Sequence, residues 1–334
     1  SSSSSSSFPP LTRGLIFEMN NEAAEEWYAT SRLQILSPPI ATLGPTRVDL
    51  TYPRSSSDAS SIARSRIQDL NSRIFDEGEW STWKDPIVRK SDEYQGHGNM
   101  ISNANVNNHS GIPLESKNAM GGILPPQIEK SLDLGSWIDF FLHTELTKDY
   151  DGFVSSVFMH VKDTTDSGSE SKFRMGPSWD KNLAFGNEQE VSDPSGWRYS
   201  TSAILQSGIA AKWFKKLLSS SAAFRYTVRD RWFTLRAGKW SDKALEKTVD
   251  KLASAVALAA ERNYDRWMIN TISSNTRFVV LPVAKNTWTG EVNELKSWLM
   301  KRVAWIDGQL KTADGFLTGA ANVKRPIFRT FLEG

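Results

Sequence analysis

The sequence predicts an α+β fold, mainly helical, with a small β-hairpin or sheet portion. Two observations carry this. Four amphipathic segments, with apolar residues three and four apart, fill most of the chain after residue 210. Just before them, two β-prone runs are separated by a polar, Gly-containing turn. Strands and helices are therefore segregated along the chain, which argues against alternating βα units and a parallel sheet.

The elements follow in order. Seven serines and then Phe8-Pro9-Pro10 read as a Ser/Pro-rich linker over 1–13, because a signal peptide needs an apolar centre. Leu15 to Met19 reads as a short buried strand, with a polar turn at Asn20-Asn21 and a second extended stretch near Leu33 to Leu36. Asp58 to Glu77 predicts a helix, since Ile62, Ile67, Leu70 and Ile74 form one stripe. Residues 88–126 turn to Asn, Gly and Ser and read as an insertion loop, which carries the sequon Asn108-His109-Ser110. A helix from Leu134 to Lys148 presents Trp137, Ile138, Phe141 and Leu142 on one face. Phe153 to Val161 and Lys172 to Met175 read as a hairpin around the turn Asp163 to Gly168. A polar loop runs from Asn187 to Tyr199. Helices are predicted over Ala210–Leu218, Ala222–Arg236, Asp242–Met268 and Glu291–Leu310, with Ser241 as N-cap of the third. Their apolar stripes are expected to be core, and 311–334 is set apart as a C-terminal extension.

Composition narrows the chemistry. The chain has no cysteine, which excludes disulfides, thiolate metal sites and a cysteine nucleophile. Its four histidines, His97, His109, His143 and His160, have no ligand-like spacing, which argues against a histidine metal site or a Ser-His-Asp triad. No phosphate-cradling glycine loop or dinucleotide fingerprint is present. A formal charge of +2 on 40 basic and 38 acidic side chains creates no field for nucleic acid. The longest nearly unbroken apolar run, Leu252 to Ala260, is too short to span a membrane.

The most informative stretch is Met175 to Asn187, which contains Pro177-Ser178-Trp179-Asp180-Lys181-Asn182 and ends in Phe185-Gly186-Asn187. In extended backbone, Asp180 and Asn182 point their oxygens the same way. Such a pair suits a hard cation such as Mg²⁺, which takes oxygen ligands and usually also touches a nucleotide's phosphates. Read alone, the upstream Asp149-Tyr150-Asp151-Gly152 is equally an ordinary acidic helix end with Gly152 as left-handed cap. Trp179 and Phe185 are equally simple core aromatics.

Taken together, Glu145-Leu146-Thr147-Lys148-Asp149-Tyr150-Asp151-Gly152-Phe153 and Pro177 to Gly186 resemble the paired motifs of the spore-coat-protein-H (CotH) kinase family. Similar patterns recur at Trp213 to Leu218, Phe224 to Trp232, Ala260 to Trp267 and Glu291 to Arg302, so the resemblance covers about 14–310. It implies an atypical protein-kinase-like fold, of which this chain would carry mainly the helical C-terminal lobe. The family's nucleotide-binding lobe, with its phosphate-anchoring Lys or Arg, precedes the Gly14 to Glu18 strand. Only thirteen residues stand there, so that lobe is expected either to be absent or truncated or to belong to a part of the protein outside this sequence; kinase activity is expected if that upstream lobe exists, and no cofactor-binding residue is assigned. The resemblance further implies Asp151 as the catalytic aspartate facing the acceptor hydroxyl, and Asp180 and Asn182 as metal ligands, with Mg²⁺ and ATP as cofactors. Asn182 stands where the family often has Asp, which implies weaker or single-metal binding. The activity implied is phosphorylation of Ser or Thr on surface or matrix proteins, in an extracellular or cell-surface setting. A catalytically silent structural or adhesion module is the alternative.

Overall fold

Strand β1 (Leu15–Met19) alternates Leu15, Phe17 and Met19 toward the core with Ile16 and Glu18 on the other face, as a strand with one covered face must. The structure is a computed structural model that describes residues 15–19, 32–35, 46–52, 57–86, 122–161, 172–201, 204–205, 208–267 and 287–318. The Ser/Pro-rich linker, the Asn20-Asn21 turn, the sequon, the Asp163 to Gly168 turn and most of the 88–126 insertion lie outside the described residues.

β1 is the centre of a five-stranded antiparallel sheet in the order β2-β3-β1-β4-β5, with β2 (Arg32–Ile35), β3 (Thr46–Tyr52), β4 (Val157–Val161) and β5 (Phe173–Met175). The sheet is larger than the sequence predicts, because β3 was not recognised and joins β1 to β2. The β4–β5 hairpin is as expected but shorter, since residues 153–156 form turns rather than strand. Leu15↔Val161 and Met19↔Val157 register the hairpin on β1, so the chain leaving β5 starts from a fixed sheet edge.

The rest is helical. α1 (Ser57–Phe75) buries Ala63, Ile67, Leu70 and Ile74 on one stripe and is followed by the short α2 (Glu77–Thr82). α3 (Pro126–Ser131) falls at the end of the stretch read as an insertion loop. α4 (Leu134–Thr147) begins where the Asp133 carboxylate accepts the Ser136 N–H at 3.0 Å. α5 (Ile209–Ser220), α6 (Ala222–Arg236), α7 (Asp242–Trp267) and α8 (Trp288–Gln309) match the four predicted helices, and the Ser241 hydroxyl accepts from Ala244 N at 3.4 Å. Past Leu310, α9 (Gly315–Thr318) sends Phe316 into the core, and the Trp197 indole donates to Gly315 O at 2.8 Å.

An aromatic cluster joins these helices under the hairpin. Phe141 lies 5.1 Å from Phe214, 5.3 Å from Tyr199 and 5.9 Å from Phe316, ring centre to ring centre. The Trp137 indole donates to Phe173 O at 2.9 Å, tying α4 to β5. One expectation fails here: α7 buries no residue, and Leu252, Val256 and Leu258 are exposed. Leu245 and Val249, near its start, pack against the core; further along Ala253, Ala257, Ala260 and Tyr264 are half-buried while Leu252, Val256 and Leu258 face outward. Among the described residues no helix is long and apolar enough to cross a membrane.

Candidate functional site

The site begins where α4 ends. Lys148 turns left-handed (φ 45°) and its N–H bonds Glu145 O, while Asp149 N bonds Thr144 O at 3.2 Å. The cap is therefore Lys148 and not Gly152. Glycine is required at 152 for space, since a Cβ there would meet Thr144 Cγ2 at 2.4 Å and Asp149 Oδ2 at 2.8 Å. The next turn is closed by Val154 N and Ser155 N, both 2.9 Å from Asp151 O.

The segment leaving β5 docks on this turn through two backbone bonds, Tyr150 N to Leu183 O at 3.1 Å and Phe185 N to Thr147 O at 2.7 Å. Its backbone is not extended as expected: Asp180 and Phe185 both have φ 57°. Even so, Asp180 and Asn182 are both exposed, while Lys181 between them turns inward onto the fully buried Asp149 carboxylate. Trp179 is also no core aromatic. It is 46% exposed and leans on Phe158, 5.3 Å away. Phe185 packs half-buried against Trp298, at 6.3 Å.

The two predicted carboxylates are held by neighbouring hydroxyls. Ser155 Oγ donates to Asp151 Oδ1 at 2.9 Å, and Ser156 Oγ donates to Asp180 Oδ2 at 3.0 Å. The two hydroxyls belong to consecutive residues, whose Cα atoms stand about 3.8 Å apart, so one dipeptide holds both carboxylates. Ser156 adopts φ 55° to do this. Asn182, two residues on from Asp180, has an exposed side chain, and its carbonyl accepts from Asn187 Nδ2 at 2.7 Å. Burial pushes the Asp149 carboxyl above its usual range, and the Lys181 ammonium works against that. His143, whose Nδ1 is 3.2 Å from Ser178 Oγ, is held below its usual range by burial and by Lys181.

Among the described residues no three acidic or histidine side chains group as a metal cage. Mg²⁺ uses one or two protein carboxylates and completes its shell with water and phosphate oxygens. The exposed Asp180 and Asn182, with hard oxygen donors and one Asp180 oxygen already oriented by Ser156, fit that donor set.

Beneath the site lies a clasp that the motif reading did not anticipate. Five consecutive carbonyls accept from side chains: Ser192 O from Trp298 Nε1, Asp193 O and Ser195 O from Lys148 Nζ, and Pro194 O and Gly196 O from Arg302 Nη1, at 2.6 to 2.8 Å. Arg302 is fully buried and also donates to Glu145 O and Glu145 Oε2, both at 2.9 Å. The Glu145 carboxylate in turn accepts Arg198 N at 3.0 Å and Tyr199 N at 2.8 Å. Burial pushes Glu145 up, lowers Lys148 to about 8 and lowers Arg302 to about 10. The clasp fixes the last turn of α4, and with it Asp149 and Asp151, against α8.

The model of the CotH kinase protein family matches residues 115–306, more than half of the chain. The chain belongs to the CotH family. No curated protein and no solved structure matches it. The CotH match spans Asp151, Asp180 and Asn182 together with Glu145, Lys148 and Arg302, and membership points to a kinase-like function. β1 to β3 and α1 lie outside the matched range. Four neighbours of the predicted residues, Asp149, Ser155, Ser156 and Lys181, were missed by motif reasoning, because only spatial contact gives them a role.

Proposed function

We propose that this CotH-family chain is an atypical protein kinase that moves the γ-phosphoryl group of ATP to Ser or Thr of surface or matrix proteins, outside the cell or at its surface. On this reading the helical region from α4 onward resembles the C-terminal lobe of a protein kinase. The observation that supports it is that hydroxyls of two consecutive residues, Ser155 and Ser156, hold the carboxylates of Asp151 and Asp180.

Mg²⁺ bound with ATP supplies neutralisation of the charge that develops on the phosphates. Asp180 and Asn182 offer the oxygens that hold it, and the neutral amide at 182 favours one cation over two. Asp151, with Oδ1 taken by Ser155, keeps Oδ2 to orient the acceptor hydroxyl and to receive its proton. The acceptor oxygen bonds the γ-phosphorus as the bond to the bridging oxygen breaks, and ADP leaves.

The test is incorporation of radiolabel from ATP, with Mg²⁺ present, into a library of Ser- and Thr-containing peptides. Transfer should fall by at least about a hundredfold in Asp180→Ala and in Asp151→Asn, each with an unchanged melting curve. Transfer that survives both substitutions would remove these residues from the reaction. A second reading, a silent module in an extracellular assembly, is favoured by the uncovered Leu252, Val256, Leu258 and Trp267 on α7. A folded wild-type chain that neither binds Mg²⁺-ATP nor transfers phosphate would support it.

A further inference from the structure

We infer that Lys181 and Asp149 form a positioning pair that aims Asp180 and Asn182 at the cation, an inference that rests on the metal site proposed above. Three consecutive residues divide their directions: Asp180 and Asn182 are exposed, and Lys181 between them turns inward. What draws it inward is a carboxylate with no access to solvent, since the Asp149 side chain is fully buried and the Lys181 side chain only 19% exposed. A buried Asp149 without a counter-charge would be strongly unfavourable, so the left-handed turn at Asp180 is bound to the ion pair.

The pair is braced on both sides. Asp149 Oδ1 accepts Asp151 N at 3.3 Å, so the same carboxylate that holds Lys181 also sets the backbone of the candidate catalytic residue. The wall behind it is Thr144 and Gly152, where no Cβ fits. Among the described residues Lys181 ties the cation ligands to the α4 turn through opposite charge; the other ties are neutral or backbone ones, the backbone bonds at Leu183 and Phe185 and the Ser156–Asp180 and Ser178–His143 side-chain bonds. Lys181 and Asp149 thus act through the residues beside them, and their loss should loosen cation binding without removing a ligand.

The probe is Mn²⁺, titrated into the full chain in the presence of ATP and followed by electron paramagnetic resonance, with melting curves and amide exchange of the 180–187 segment alongside. Lys181→Met and Asp149→Asn should each weaken Mn²⁺ binding by about tenfold or more, as loss of residues that orient ligands does. Lys181→Arg should recover affinity to within about threefold, because it restores the charge-assisted bond. The paired Asp149→Asn, Lys181→Gln variant leaves no lone buried charge and should also stay within about threefold of wild type, which keeps the test readable if Lys181→Met unfolds. Faster exchange in Lys181→Met with unchanged Mn²⁺ affinity would reduce the pair to a structural latch and overturn the inference. Tighter binding in Lys181→Met would overturn it too, by showing that Asp149 is itself a ligand that Lys181 blocks. Asp180→Ala separates the premise: if it leaves Mn²⁺ affinity unchanged, the metal site falls and the pair's role with it.

Discussion

Replacing Arg302 by Met should destabilise the fold by about 3–5 kcal/mol, the range found when one partner of a buried ion pair is removed. The magnitude follows from what Arg302 leaves behind. Glu145 would be buried with only the Arg198 and Tyr199 amides as donors, and the carbonyls of Pro194 and Gly196 would lose their partners. Each buried carbonyl left unpaired costs about 1–3 kcal/mol. The guanidinium also lies 4.8 Å from the Trp305 ring centre, a contact that Met only partly replaces. Many buried pairs can be exchanged for two apolar side chains at little cost. This one cannot, because both partners bond backbone as well as each other. The Glu145→Met, Arg302→Met double variant should therefore be no more stable than Arg302→Met alone. Urea unfolding followed by tryptophan fluorescence measures all three. A loss below about 1 kcal/mol in Arg302→Met, or recovery in the double variant, would show that other contacts hold the 192–199 loop and that the clasp argument is wrong.

Three further outcomes follow. Gly152→Ala should cost about 1–3 kcal/mol by overpacking against Thr144 and Asp149, and should lower phosphate transfer further than its stability loss explains. Lys148, lowered by burial to about 8, binds fewer protons folded than unfolded between pH 8 and its ordinary value. Stability should therefore rise with pH across that window, by up to about 3 kcal/mol, and Lys148→Met should flatten the rise in urea titrations at pH 7.5 to 10. Ser156→Ala frees Asp180 Oδ2 and should weaken Mn²⁺-ATP binding about tenfold with little change in melting temperature.

Periodicity made the helices legible. The stripes of α1, α4, α5, α6 and α8 are where residue spacing places them, because each buries one face and a 3.6-residue period records which one. It failed for the outer turns of α7, where the same spacing marks a face that the fold does not cover. β3 was missed although the period-two signal is present: Val48, Leu50 and Tyr52 alternate with Arg47, Asp49 and Thr51. The sheet exists through pairing with β1 and β2, and those partners are distant in sequence or unremarkable on their own.

At the site, motif spacing singled out Asp151, Asp180 and Asn182 but not the interactions that orient them. A motif records chemistry-bearing residues, whereas orientation comes from contacts between segments that spacing does not rank. Ser155 and Ser156 look like the start of a strand, and Lys181 looks like a solvated charge between two ligands. The expected extended backbone at Asp180 was reasonable for an Asp-x-Asn pattern. It is overruled by the opposite charge on Asp149, which lies in a turn with no room for solvent. Three residues build that turn: an Asp two residues before the candidate catalytic Asp, a Gly immediately after the catalytic Asp, and a Lys between the two candidate cation ligands. In the fold they supply a buried carboxylate, a wall without a Cβ and a compensating charge. It is this combination, more than the acidic ligands themselves, that makes the arrangement of Asp151, Asp180 and Asn182 particular to one geometry.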